Sequence, residues 1–443
     1  MTKARRDGLY LVFLGGAIFA IIGIFGGVFL PHPTSDFRFN YNSVRCLIQN
    51  VDPYKQSEFL RVMQKDGPSP GAGFLSDGAA MEMTQYIYPP TSLVWAPFGI
   101  LPWPIASLLW TLTICGLFFL GAYLMWKVAA DYAPLLSGFQ VLCVLASAPL
   151  LLVIGNACGL VISLCLIAAW CIVEERFAAA GALCLAVSLM IKPHDAGLIW
   201  LYFLLAGGTY RKRALQALGA TVVLSIPLLI WVTHVSPHWL AELQGNLAVQ
   251  NSPGHVSDPG PSSMAGHGAG MIINLQSVIS FFRNDPLFYN PVSYLVCGVL
   301  LIVWSITVLS ARPTRERTWL ALAAISALTM LPVYHRTGDA KLLLLAIPPC
   351  AILWAKGNTV GRVAAVVTTA GVLLTGDIQW LIYLGILRHL PLPLTQSGVE
   401  LRMASQIFPI PLILLAVSLF YLWVYTRSGS RESAAQPAIE SIG

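Results

Sequence analysis

The sequence predicts an all-α, polytopic membrane protein: a single bundle of about 12 transmembrane spans (11–13) occupying residues 1–426. Three observations carry that reading. Of the 443 residues, 56% are hydrophobic and only 10% charged, with a mean hydropathy of +0.71. Soluble domains carry about 25% charged residues, so this chain cannot cover itself for water. Apolar runs of 15 to 22 residues recur from Leu9 to Thr426, matching a bilayer core about 30 Å thick. The basic residues, finally, gather in short connections on one side of those runs. Together these exclude a cytosolic enzyme, a secreted disulfide module and a nucleic-acid-binding domain. The net charge of +6 thus concerns membrane orientation, not a polyanionic partner. Eight of nine cysteines lie in apolar spans and only Cys46 in a loop, so neither a disulfide framework nor a thiolate metal site is implied.

Taken in order, the expected spans are 9–30, 104–127, 135–153, 157–173, 177–191, 196–208, 214–233, 291–310, 318–332, 341–355, 361–376 and 405–426. Several hold only 13 to 17 residues, short for a bilayer core, and read as broken or re-entrant pieces. One side receives 15 of the 26 Lys and Arg, including Arg5, Arg6, Arg211-Lys212-Arg213 and Arg315. By the positive-inside rule that side is cytoplasmic. The other side holds 13 of the 20 acidic residues: 11 in three outer loops, 31–103, 234–290 and 377–404, with Asp195 and Asp339 in short turns. Lys3-Ala4-Arg5-Arg6 ahead of a long apolar run reads as an uncleaved signal anchor. Residues 427–443 read as a disordered cytoplasmic tail.

The first outer loop is the most structured. After Pro31 and Pro33, the stretch Asp36 to Gln49 repeats helically, with Phe37, Tyr41, Val44 and Ile48 on one stripe and Arg38, Asn42, Arg45 and Gln49 on another. This predicts an amphipathic helix on the outer membrane surface, its two arginines facing anionic headgroups. Tyr88-Pro89-Pro90 then opens Thr91 to Trp103, too short to cross and read as re-entrant. Residues 250–270, rich in Gly, Ser, Pro and His, read as a mobile cover that keeps water from a site.

The span interiors are nearly free of ionisable groups, whereas ion-coupled transporters place such groups near the midplane. A site at the outer surface is favoured instead. Asp36, directly after the first span, can serve there as general base on a hydroxyl; Thr34-Ser35-Asp36 before a helix equally reads as an N-cap. Tyr334-His335-Arg336, with Asp339 and Lys341, forms an outer turn whose cations suit a lipid phosphate or ordinary snorkelling. Lys192-Pro193-His194-Asp195 forms a similar turn. No His/Asp/Glu set shows ligand spacing, so neither a metal nor another cofactor is expected. No P-loop, dinucleotide fingerprint, nucleophile elbow or zincin motif occurs.

In their order along the chain, these features resemble glycosyltransferase family 87, polytopic enzymes of the GT-C class. The resemblance runs through Asp36, Asn40-Tyr41, Asp52-Pro53-Tyr54, Tyr88-Pro89-Pro90, Leu101-Pro102, Gly155-Asn156, Lys192-Pro193, Asn274-Leu275-Gln276-Ser277 and Tyr334-His335. Asn50 stands where the family often has glycine, a change a left-handed turn tolerates. The resemblance implies transfer of a hexose, typically mannose, from a polyprenyl-phosphate sugar to a lipid-linked or glycan acceptor outside the cytoplasmic membrane. It makes Asp36 the base of an inverting single displacement and gives His335 a catalytic or phosphate-contacting role. Lys192, Arg336 and Lys341 are then donor-phosphate candidates, and Tyr41, Tyr88, Asn274 and Gln276 substrate contacts. A single leaving phosphate can be stabilised by such cations without a divalent metal. The competing reading is a transporter or flippase of lipid-linked glycans; a non-catalytic membrane scaffold ranks third.

Overall fold

The computed structural model describes residues 1–29, 35–65, 88–253, 257–260, 272–377 and 409–435. Among these the chain is helical without a strand, and one isolated antiparallel bridge joins Ile272 to Arg336. All twelve segments read as spans contain helix, the tenth opening as a 3-10 turn, Asp339–Ala346, before Ile347–Ala355.

Among the described residues six helices are long and apolar enough to cross a membrane: Lys3–Gly26, Trp103–Ala129, Pro134–Val153, Gly208–Val235, Pro286–Ser310 and Pro409–Ser428. Three shorter apolar helices are Ala157–Val173, Ala178–Ile191 and Thr359–Leu374. Length and position go together. Long helices such as Pro286–Ser310 expose apolar side chains, among them Leu295, Ile302, Ile306 and Leu309, as lipid-facing surfaces do. Arg315–Leu328 is buried from Arg317 to Leu328, and a helix enclosed on all sides by protein is not sized by the bilayer. A run of apolar residues marks both kinds equally, so twelve helical segments do not become twelve crossing-length helices.

Connections collect at two ends of the bundle. At one end Arg5 pairs with Asp131 (3.1 Å), Arg315 with Glu174 (2.9 Å), and Lys356 with Glu316. These are the positions that the charge distribution assigns to one side. The Ser35–Ile48 helix, the Ile154–Asn156 turn, the Lys192–Pro193 junction and the 332–338 connection belong to the other end.

The Ser35–Ile48 helix departs from its expected setting. Phe37, Tyr41 and Val44 are buried, but so are Arg38 and Asn42 on the polar stripe. The Ser92–Gly99 and Gln56–Lys65 helices pack against it, so it is enclosed by protein instead of lying on a surface. The arginines are absorbed by aromatic rings: Arg38 lies 5.2 Å from the Trp103 centroid, and Arg45 donates to the Tyr41 hydroxyl (2.7 Å). Phe37 stacks on Trp110 (5.0 Å, 9° between planes) and meets Phe98 edgewise. Asn50 takes a left-handed φ of 55° and ends this helix, as its tolerance for that region allows. The segment read as re-entrant is the Ser92–Gly99 helix, which docks on Val44 before the chain turns into Trp103–Ala129.

The last helix continues to Ala435, into the expected tail. Residues 436–443, nearly all of the third outer loop, and 254–256 and 261–271 of the expected cover lie outside the described residues.

Close approach at Gly99 sets the seat of the Ser35–Ile48 helix. A Cβ there would stand 2.1 Å from Val44 Cγ1. Gly99→Ala is expected to destabilise the detergent-purified protein by about 1–3 kcal/mol, with Val44→Ala in the same chain restoring part of the loss. Thermal unfolding checks this; a Gly99→Ala protein as stable as wild type would contradict the packing.

Candidate active site

Asp36 sits in the first turn of its helix, where a carboxylate complements the helix dipole. Two contacts tie it to the turn before the Ala157–Val173 helix. Its backbone N–H donates to the Ile154 carbonyl (2.9 Å), and its Oδ2 accepts from Asn156 Nδ2 (2.5 Å). Asn156 is itself fixed, because its Oδ1 caps the helix by accepting from Cys158 N–H (2.8 Å). Gly155 supplies the left-handed φ of 64° that turns the chain there, and its carbonyl accepts from Trp110 Nε1 (2.9 Å). Trp110 thus serves both anchors, stacking on Phe37 beside Asp36 and holding the turn that carries Asn156.

A second set of groups lies between the Lys192 junction and the 332–338 connection. Lys192 Nζ lies 2.7 Å from Asp339 Oδ1 and 3.6 Å from Asp195 Oδ2. The other Asp339 oxygen accepts from Arg336 N–H (2.8 Å). His335 places Nε2 2.9 Å from Asp195 Oδ1 and Nδ1 3.0 Å from the Val333 carbonyl. The His194 and His335 rings meet edge to face, 4.9 Å apart. Backbone bonds brace the cluster: Ile273 N–H donates to the His335 carbonyl (3.0 Å) and Leu275 N–H to that of Leu331 (2.8 Å).

Burial pushes the His194 imidazole down to about 4, leaving it neutral near physiological pH. Burial also opposes ionisation of Asp195, but the Lys192 ammonium and the neighbouring histidines outweigh it and hold the carboxylate ionised. On Lys192 burial again works against the charge and loses, here to Asp339 and Asp195. Lys192 keeps 21% of its side chain accessible and His194 is half-buried, against 0% for His335.

The two sets are neighbours. A Cβ on Gly338 would stand 3.0 Å from Cys158 Sγ, and the fields of Asp339, Lys192, Asp195 and Asp36 all reach that thiol. Cys158 follows Asn156 by two residues, so Asp36 and the lysine–aspartate–histidine cluster flank the start of one helix. The arrangement presents a carboxylate beside a charged network, which is what a proton acceptor and a developing anionic leaving group require.

The remaining sequence candidates fall in different surroundings. Tyr41 is buried, and its hydroxyl donates to the Leu101 carbonyl (2.9 Å). With Arg45, Gln49, Leu101 and Trp103 it lines an open groove of about 610 Å³. Tyr88 is 44% exposed at the head of the Pro89–Thr91 turn. Asn274 caps the Leu275–Phe282 helix, and its amide donates to Gln276 (2.7 Å), which donates to Asn290 (2.6 Å). Lys341 is 2% exposed, donates to the Thr375 carbonyl (2.7 Å) and pairs with Asp377 (3.2 Å). Asp377 in turn accepts from Leu150 N–H (3.1 Å), so the pair joins two breaks in the bundle. Freeing Lys341 for a phosphate would strand a buried carboxylate at a cost of about 3–5 kcal/mol. Arg336 donates from Nε to the Tyr334 hydroxyl and lies over that ring.

Sequence reasoning noted Asn156, Asp195 and Asp339 without assigning them roles. The spacing of Lys192 and Asp195 is a visible signal, whereas nothing local ties either residue to position 335 or 339.

The family model of glycosyltransferase family 87 matches residues 86–334, more than half of the chain. The chain belongs to glycosyltransferase family 87. The matched stretch contains Tyr88, Asn156, Lys192, Asp195, Asn274 and Gln276; Asp36 precedes it, and His335 begins just beyond it. Comparison with curated proteins and with solved structures returned no match. A family 87 glycosyltransferase with membrane-crossing helices joins a sugar donor to an acceptor, and the Asp36–Asn156 contact lies near Lys192, which the matched stretch contains.

Two substitutions at Asn156 separate support from function. Asn156→Ala loses a helix cap, costing about 0.5–2 kcal/mol, and removes the amide contact to the Asp36 carboxylate, lowering transfer by about 10²-fold. Asn156→Asp keeps a capping oxygen but sets a like charge against Asp36; stability is expected to change little while transfer falls. Wild-type transfer by Asn156→Asp would show that the contact has no part in activity.

Proposed function

We propose that the protein transfers a hexose, mannose in the first instance, from a polyprenyl-phosphate sugar to a hydroxyl of a lipid-linked or glycan acceptor. The reaction takes place at the outer face of the cytoplasmic membrane and inverts the anomeric carbon. The observation that carries this reading is the Asp36 carboxylate, held by Asn156 at 2.5 Å beside the cluster that contains Lys192 and Arg336. Family membership supplies the reaction class. The placement of the site opposite the end rich in short basic connections supports the outer face.

In the single displacement, the acceptor hydroxyl gives its proton to Asp36 as its oxygen bonds to the sugar's C1. The bond from C1 to the phosphate oxygen breaks, and polyprenyl phosphate leaves with the electron pair. Lys192, through its accessible surface, and Arg336 stabilise the charge that grows on that phosphate. Asp339 orients both, through the Lys192 ammonium and the Arg336 N–H. His335, with no accessible surface, supports the 332–338 connection from within. The donor is lipid-anchored in this reading, as is a lipid-linked acceptor, which suits a site built at the end of a membrane bundle.

The test is transfer from radiolabelled polyprenyl-phosphate mannose by purified protein in liposomes made with extracted membrane lipids. Wild type is expected to label an acceptor and Asp36→Asn to lose at least about 10²–10⁴-fold in rate. Equal turnover by the two would remove Asp36 as the base. A flippase would instead move lipid at the same rate with either residue.

A further inference from the structure

We propose that His194, Asp195 and His335 form a binding site for a divalent transition-metal ion, zinc by its donor set, which locks the 332–338 connection onto the start of the Pro193–Ala206 helix. One ligand atom from each residue lies within 4.8 Å of the other two. Two imidazole nitrogens and a carboxylate oxygen are donors that suit zinc.

The decisive feature is a close approach of buried ligand-type atoms without a well-aligned hydrogen bond between them. His335 Nε2 and Asp195 Oδ1 are 2.9 Å apart, yet Nε2 and both Asp195 oxygens are buried without a hydrogen-bond partner. The carboxylate lies off the axis along which Nε2 could donate. A hydrogen bond wants the two atoms in line, whereas two ligands of one ion each aim at the ion. With metal–ligand distances of about 2.0–2.1 Å, neighbouring ligand atoms sit about 2.9–3.4 Å apart. Leaving three buried polar atoms unsatisfied is costly, and an ion between them satisfies all three.

The surroundings fit the same assignment. His335 Nδ1 faces the Val333 carbonyl at 3.0 Å; donating there fixes the tautomer and leaves the Nε2 lone pair for a metal, the usual outer support of a ligating histidine. The carbonyl of His194 accepts from Thr329 Oγ1 (2.6 Å), which anchors that ligand's backbone. Lys192, the nearest cation, has its closer partner in Asp339, at 2.7 Å against 3.6 Å to Asp195. Asp339 therefore offsets the lysine, and the Asp195 charge stays available. With His335 and Asp195 at 0% and 1% exposure and His194 half-buried, the ion lies mostly inside the protein and holds structure in place. The inference stands whether or not the protein uses a polyprenyl-phosphate donor.

The experiment is metal analysis by plasma mass spectrometry of full-length protein, purified in detergent through an affinity tag that contains no histidine and without chelators. About one zinc per chain is expected in wild type and in a His255→Ala/His267→Ala control. Asp195→Asn and His194→Ala are expected to retain less than about a fifth of it. Because those variants can fail to fold, wild type is also stripped with a chelator: its Tm is expected to fall and to return with added Zn2+. Cobalt substituted into the stripped protein is expected to show visible absorption bands that the Asp195→Asn protein lacks. A wild-type protein without bound metal and indifferent to Zn2+ would overturn the site, leaving a plain histidine–aspartate pair. So would zinc retained in both site variants or lost in the His255→Ala/His267→Ala control.

Discussion

A carboxylate at the end of an apolar bundle stays where its partners hold it, and Asn156 is one that holds Asp36. That side chain spends its carbonyl on capping a core helix and its amide on the carboxylate, so the position of Asp36 is set by the helix that Asn156 caps. The aromatic stack of Phe37 on Trp110 fixes the same relation from the apolar side. Both anchors converge on the Ile154–Asn156 turn, which also carries the chain into the Cys158 neighbourhood where the second charged set lies. Loosening this turn would move the candidate base and its distance from Lys192 together.

The charges of that second set show how such a bundle accommodates ionised groups. Each has a compensating neighbour: Lys192 with Asp339, Lys341 with Asp377. Compensation differs in consequence, however. Lys341 and Asp377 are nearly inaccessible and pin helix breaks, so their pairing reads as architecture. Lys192 keeps surface, so its pairing leaves it able to meet an incoming anion. The same residue type in the same kind of turn thus meets two settings, divided by exposure and not by sequence.

Much of this was legible in the sequence because it is local or compositional. Helical segments followed from apolar runs, two-sided charge from the placement of Arg and Lys, and the left-handed turn at Asn50 from its residue type. The family resemblance rested on short motifs in order. What stayed hidden depends on pairings between distant positions. The enclosure of the Ser35–Ile48 helix follows from Ser92–Gly99 docking through Gly99, which no periodicity within residues 36–49 reports. The meeting of Asp195 with His335, and the diversion of Lys341 to Asp377, each join separate turns. Apolar runs also fail to distinguish an outer helix facing lipid from an inner one facing protein, so the described residues hold fewer crossing-length helices than the sequence has apolar runs.

The central claim is that Asp36 acts on the acceptor proton and not as a structural or donor-binding group. The most direct measurement is the donor dissociation constant alongside the single-turnover transfer rate, both on the same preparation of Asp36→Asn. The account predicts donor affinity within a few-fold of wild type with the transfer rate collapsed. A loss of donor affinity that accounts for the whole loss of transfer would contradict it and place Asp36 in binding or folding instead.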